Sequence, residues 1–179
     1  IRDPPVVVRF RTGKLFYSHI NFGGFSVRRV IRRHRYFYDL ADIDFQRPLN
    51  IDSTNMETHH RATLAEIIYR NHLKYDGFVV VHGTDTMVDS AAALNYMLQN
   101  LGKPVVFTGS QKSIFEPASD AQNNLYNAIK AATMDIGEIV IAFGDKIVRG
   151  SRAVKESEQG LNAFASPRVQ PLGEIGIEI

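Results

Sequence analysis

"YDGFVVVHGTDTMVDSAAAL", running from Tyr75 to Leu94, changes character in its middle. Phe78, Val79, Val80 and Val81 follow Gly77 as a short apolar run rich in β-branched residues. That is the pattern of a strand buried on both faces of a parallel sheet. After Gly83 the period becomes helical, with Met87, Ala91, Leu94 and Leu98 on one face. In open α/β sheets, ligands collect at the carboxyl ends of strands, where helix N-termini present unpaired amides. Thr84 and Asp85 therefore stand where such a fold places its chemistry. Taken alone, the turn is read more simply as a helix cap, since Thr and Asp both satisfy those amides.

The alternation of strand and helix extends in both directions. Val6 to Phe10 reads as a first strand, and residues 11–26 as a glycine-rich irregular segment that includes the loop "NFGGFS". "YFYDLADIDFQRPLNIDS" alternates in polarity and predicts one or two strands ending near Asp52. "RATLAEIIYRNHLKY" predicts a helix with Leu64, Ile67, Ile68 and Leu73 inward. "KPVVFTGSQ" repeats the strand followed by a polar turn, and "SDAQNNLYNAIKAATMD" predicts a helix opened by Ser119 and Asp120 as caps. "EIVIAF" and "DKIVRG" predict a hairpin. This spacing of βαβ units implies an α/β fold of three layers, a mostly parallel sheet with helices on both faces.

Composition excludes several classes. With 44% hydrophobic and 22% charged residues the chain is an ordinary globular domain. It has no cysteine, hence no disulfide and no thiolate nucleophile. No stretch approaches the ~20 apolar residues of a membrane span, and no signal-peptide pattern opens the chain, so a soluble, cytoplasmic protein is expected. The net charge of +2 conceals an asymmetry: residues 1–50 carry ten Lys/Arg against four Asp/Glu, the remainder eleven against fifteen. Most of the excess lies in "SVRRVIRRHRYFY", with Arg28, Arg29, Arg32, Arg33 and Arg35. Basic residues among aromatics could follow a nucleic-acid backbone. Val27, Val30 and Ile31 interrupt the run, however, and a solvated, partly amphipathic face is the preferred reading. His59 and His60 are adjacent and read as surface residues at a helix start, without metal-ligand spacing. His82, at the end of the buried strand, reads as a hydrogen-bonded core histidine directed toward the flanking helices.

Further polar clusters end the other strands: "NIDST" at 50–54, "TGSQ" at 108–111 and "RGSRAVK" at 149–155. Each is weak alone, but parallel strands bring their carboxyl ends to one edge. "NIDSTNM", "YDGFVVVHGTDTM", "AAALNYMLQNLGKPVVFTGSQ", "SDAQNNLYNAI", "RGSRAVK" and "NAFASP" follow one another over roughly residues 48 to 179. In this the chain resembles the amino-terminal domain of bacterial-type L-asparaginases and the asparaginase-like subunit of archaeal tRNA-dependent amidotransferases. The resemblance implies a catalytic group of Thr84, Asp85 and Lys155. It further implies that Ser53 holds the substrate's α-carboxylate, that Asp85 faces its α-ammonium, and that Gly83 allows close backbone approach. Lys155, partly desolvated, is expected to lose its proton near neutral pH and serve as a base.

The activity implied is hydrolysis of L-asparagine through a threonine nucleophile, with L-glutamine as a second candidate substrate. It needs no metal or organic cofactor and belongs to a homodimer or homotetramer. A glutaminase-type subunit of a tRNA-dependent amidotransferase is the alternative, with tRNA as a secondary partner. One departure stands out. The family's first strand leads into a Thr-Gly-Gly-Thr-Ile turn whose first threonine is the nucleophile, and no such turn occurs here. Either "VVVRF" and "RTGKLFY" meet at a junction from which a mobile catalytic loop is absent, which the abrupt strand end favours, or Thr12 and Gly13 are a relic of the turn. Without it, a non-catalytic amino-acid-binding domain is a third reading. Residues 1–179 are expected to form the family's larger domain, with a smaller carboxy-terminal domain absent. "IRDPPVVV" and "PLGEIGIEI" read as the trimmed edges of a longer chain.

Overall fold

The computed structural model describes residues 6–9, 14–19 and 27–176. The apolar run of the opening stretch forms strand β4 (Gly77–Val81), and its neighbours are β2 (Lys14–His19), β5 (Val105–Thr108) and β6 (Ile139–Phe143). These four run parallel, in register from Leu15↔Gly77 to His19↔Val81 and from Phe78↔Val105 to Val81↔Thr108. Antiparallel strands finish the margins: β1 (Val6–Arg9), β7 (Lys146–Arg149) and β10 (Gly173–Glu174), with β3 (Asp42–Gln46) between β1 and β2. The order is β1-β3-β2-β4-β5-β6-β7-β10, and β6 and β7 form the expected hairpin.

Side chains on successive strand residues face opposite ways, and the core divides accordingly. Phe78, Val80, Phe107 and Ile141 pack with Leu64 and Ile68 of α3 (Thr58–Asn71) and with Met87, Ala91 and Leu94 of α4 (Met87–Met97). Val79, Val106, Val140 and Ala142 pack on the other face. There they meet Val30 and Ile31 of α1 (Val27–Arg33), Phe37 of α2 (Tyr36–Leu40), and Leu125, Ala128 and Ile129 of α5 (Ala121–Ala131). Helices thus cover both faces of a mixed sheet with a parallel centre. The α4 stripe Met87, Ala91, Leu94 and Leu98 is buried as its spacing requires.

Four expectations are corrected. Part of the segment 11–26 is strand β2, because β4 needs a hydrogen-bonding neighbour on its second edge; "NFGGFS" lies outside the described residues. "YFYDL" is a helical turn, not strand. Phe37 is buried while Tyr36 and Tyr38 are exposed, and so short an alternation satisfies either period. The strand that follows ends at Gln46, well before Asp52. Leu73 is 87% exposed, since α3 ends at Asn71 and the helical period no longer sets its direction. On α1, Val30 and Ile31 are buried while Arg32 and Arg33 are exposed, as an amphipathic face demands; the Arg28 side chain lies outside the described set.

Candidate active site

Between β4 and α4 the turn 82–86 is fixed from several sides. The His82 amide donates to the Thr108 carbonyl at 2.8 Å, extending the β4–β5 ladder one residue. The next residue of β5's turn must be glycine, because a Cβ on Gly109 would lie 2.2 Å from the His82 carbonyl oxygen. Gly83 and Thr84 are buried and Asp85 is exposed. Neither Thr84 nor Asp85 caps α4. That position falls to Thr86, whose hydroxyl instead donates to the Ser53 carbonyl at 2.6 Å.

This bond ties the turn to the short 3-10 helix Ser53–Asn55. Asp52 precedes it and accepts from the Thr54 amide (2.9 Å) and hydroxyl (2.8 Å), which hold its carboxyl below the usual carboxylate range. Ser53 is fully buried, and its hydroxyl has no partner among the described residues. A buried hydroxyl left unpaired costs about 1–3 kcal/mol, so Ser53 retains a bond to give to a ligand.

Lys155 comes from the opposite direction. It lies on β8 (Val154–Lys155), which pairs with β9 (Phe164–Ala165). Its Nζ donates to Asp85 Oδ1 at 3.2 Å across 70 residues of sequence, and also to the Glu158 carboxylate. The structure therefore brings Lys155 to Asp85, the chain neighbour of Thr84, and links Ser53 to their turn through Thr86. The lysine's proton differs from expectation. Burial pulls its pKa down as foreseen, but the bonds to Glu158 and Asp85 outweigh burial and hold it above the ordinary lysine value. In this arrangement Lys155 is an ammonium, not a neutral base.

His82 is a core histidine. Its Nδ1–H donates to the Gly83 carbonyl at 2.7 Å, so Nε2 accepts from the Ser90 hydroxyl of α4 at 2.9 Å. Ser90 in turn accepts from Arg61 Nε at 3.2 Å. Burial drives the imidazole pKa from 6.5 down to about 4. His59 and His60 lie at the start of α3, where His60 Nδ1 accepts from the Glu57 amide. Among the described residues no three His, Cys, Asp or Glu side chains gather as a metal site would need.

Sequence reading missed the supports. Asp120 holds the N-cap position of α5, as expected, but its side chain makes no cap bond. Its carboxylate accepts the amides of Gln111 (2.9 Å) and Lys112 (3.0 Å) and Asn124 Nδ2 (3.0 Å), while Ser119 Oγ accepts from the Ala121 amide. Asn124 also donates to the Gly109 carbonyl and accepts from the Gly144 amide. An Asp four residues before an Asn on a helix was the one signal available. The nucleophile turn expected after Phe10 falls outside the described residues; the strand parallel to β4 and level with its end is β2. Residues 20–26, Phe10, Arg11, Thr12 and Gly13 lie outside the described residues.

Buried hydroxyls and an Asp–Lys pair at the carboxyl edge of parallel strands define the class: an α/β domain with a polar site at that edge. Residues 14–179 match the amino-terminal asparaginase family model, and the chain belongs to the asparaginase family. Over 130 residues it is 47% identical to L-asparaginase 1 of Escherichia coli, covering 72% of this chain and 38% of that one. It is 39% identical over 144 residues to a glutamyl-tRNA(Gln) amidotransferase subunit of Archaeoglobus fulgidus, covering 76% and 34%. The thermostable L-asparaginase of Thermococcus kodakarensis superposes with a TM-score of 0.83 at 31% identity, over 90% of this chain and 53% of that one. The chain thus spans about a third to a half of these relatives. No helix among the described residues is long and apolar enough to cross a membrane.

Proposed function

We propose that the protein carrying this chain hydrolyses the side-chain amide of L-asparagine, releasing L-aspartate and ammonia. The observation that carries this reading is the 3.2 Å contact between Lys155 and Asp85, beside Thr84 at the end of β4. The Ser53 hydroxyl takes the α-carboxylate and Asp85 the α-ammonium, as charge and hydrogen-bonding capacity require. A hydroxyl oxygen adds to the amide carbon, the C–N bond breaks, and nitrogen leaves as ammonia with the proton the hydroxyl gave up. Water then cleaves the ester and restores the hydroxyl. Among the described residues Thr84 offers that hydroxyl. Lys155 holds or moves the proton, and as base it acts once its carboxylate partners release it. The protein assembles as a homodimer or homotetramer.

Ammonia release by the full-length protein, from L-asparagine and from L-glutamine and with or without chelator, tests the reading. Chelator-independent release from asparagine is expected; dependence on a divalent ion overturns it. Asparagine binding without ammonia identifies a binding domain instead.

The similarity to the archaeal amidotransferase protein, together with the exposed Arg32, Arg33 and Arg35, favours a second reading, a glutaminase-type component of a tRNA-dependent amidotransferase. Gel-shift titration against tRNA separates the two, because phosphate contacts weaken steeply with salt.

A further inference from the structure

Glu158 has no part in the hydrolysis proposed for this site, yet among the described residues its carboxylate is one of the two that touch the Lys155 ammonium. The two side chains differ sharply in setting: Lys155 is 12% exposed and Glu158 77%. Exposed ion pairs usually contribute little, because holding long side chains in one geometry costs entropy. Here the geometry is held by other groups. Gln111 Nε2, from the turn after β5, donates to the carbonyls of Ser157 (3.5 Å), Glu158 (3.0 Å) and Gly160 (3.2 Å). Its own amide is anchored by Asp120. Ser157 Oγ accepts from the amides of Gln159 (3.3 Å) and Gly160 (2.7 Å), closing the turn on itself. The loop that presents Glu158 is thus pinned to the carboxyl edge of the sheet, and Gln111 of the otherwise unexplained "TGSQ" is the pin.

We propose that Glu158 is a positioning residue: delivered by the Gln111-pinned turn, it clamps the Lys155 ammonium against Asp85 and so controls when the lysine can take part in proton transfer. The inference rests on Lys155 belonging to the catalytic group. Among the described residues the charged groups facing Lys155 are Asp85 from the β4–α4 turn and Glu158 from its own turn; β9 opposite contributes Phe164 and Ala165. Two carboxylates around one ammonium leave an excess negative charge. Removing one weakens the charged form, whereas removing the pin lets the same carboxylate drift.

The test is the titration of Lys155 in the full-length protein, followed by the 13Cε resonances of labelled lysine, with Lys155→Met to assign the signal. In Glu158→Gln the midpoint falls by about one pH unit or more, the scale of a lost neighbouring opposite charge. Glu158→Asp and Gln111→Ala fall between that variant and the parent. The acid limb of the kcat profile moves by the same amount, while KM for asparagine changes less than about threefold. An unmoved midpoint in a folded Glu158→Gln protein overturns the proposal, as does a Gln111→Ala midpoint equal to the parent's. If the midpoint moves but the parent releases no ammonia, the clamp stands and the hydrolytic reading falls.

Discussion

His82 and Lys155 both carry ionisable nitrogen near the same turn, and their surroundings push them apart. Burial leaves His82 neutral, with Arg61 acting in the same direction, against the Gly83 hydrogen bond and the Asp89 and Asp85 charges. In the unfolded chain the ring gains its proton near pH 6.5, in the folded one near 4. Stability present above 6.5 is therefore lost as pH falls through that window. Between pH 7.5 and 4.5 the parent should lose about 2–3 kcal/mol more than His82→Gln, read by urea unfolding at each pH. At neutral pH His82→Gln itself costs about 1–3 kcal/mol, because part of the chain from Gly83 through Ser90 to Arg61 loses a partner. It should leave the shape of the activity profile intact. Lys155→Met should lower turnover at least ~10²-fold, the lower end for a group that moves a proton. Near-normal turnover in that variant would remove the lysine from the mechanism.

At the scale of elements, the turns after β4 and β5 touch so closely that backbone replaces side chain. Gly109→Ala forces a Cβ against the His82 carbonyl; a loss of about 2–3 kcal/mol is expected from such overpacking, with the β4–β5 ladder at Thr108 exchanging its amides faster. Helix α1 provides the opposite case. Ile31 is wholly buried, and Ile31→Ala should cost about 2–4 kcal/mol. Arg32→Gln and Arg33→Gln should stay within about 0.5 kcal/mol, as solvated positions do. Denaturant midpoints of the three variants check both. The elements whose residues repeat over several turns or a full buried run were legible beforehand: β4, α4, β5, α5 and the β6–β7 hairpin. β2 and α2 were not, since five or six residues beside glycines or aromatics fit more than one period.

For the whole molecule, β4, β5 and β6 serve two cores at once, which ties helices on opposite faces into one unit. Phe107 belongs to the α3–α4 side and Val106 to the α1–α2–α5 side, both without exposure. Phe107→Ala should cost about 3–5 kcal/mol. It should shift a single unfolding transition without changing its denaturant slope, since the sheet couples both layers. Two separate transitions would show that the faces unfold independently.

Local period and turn chemistry determined, from the sequence by itself, that strands and helices alternate. They also placed Thr84 and Asp85 at the end of a buried strand, because both signals are written in consecutive residues. Resemblance added Ser53 and Lys155 as candidate site residues. Tertiary structure alone decided that β2 rather than β1 lies beside β4. It alone decided that Thr86 reaches Ser53, and that Lys155 meets Asp85 and Glu158 together and so keeps its proton. Those facts depend on strand order and on loops meeting from distant parts of the chain, and no pattern within a window of neighbouring residues carries them.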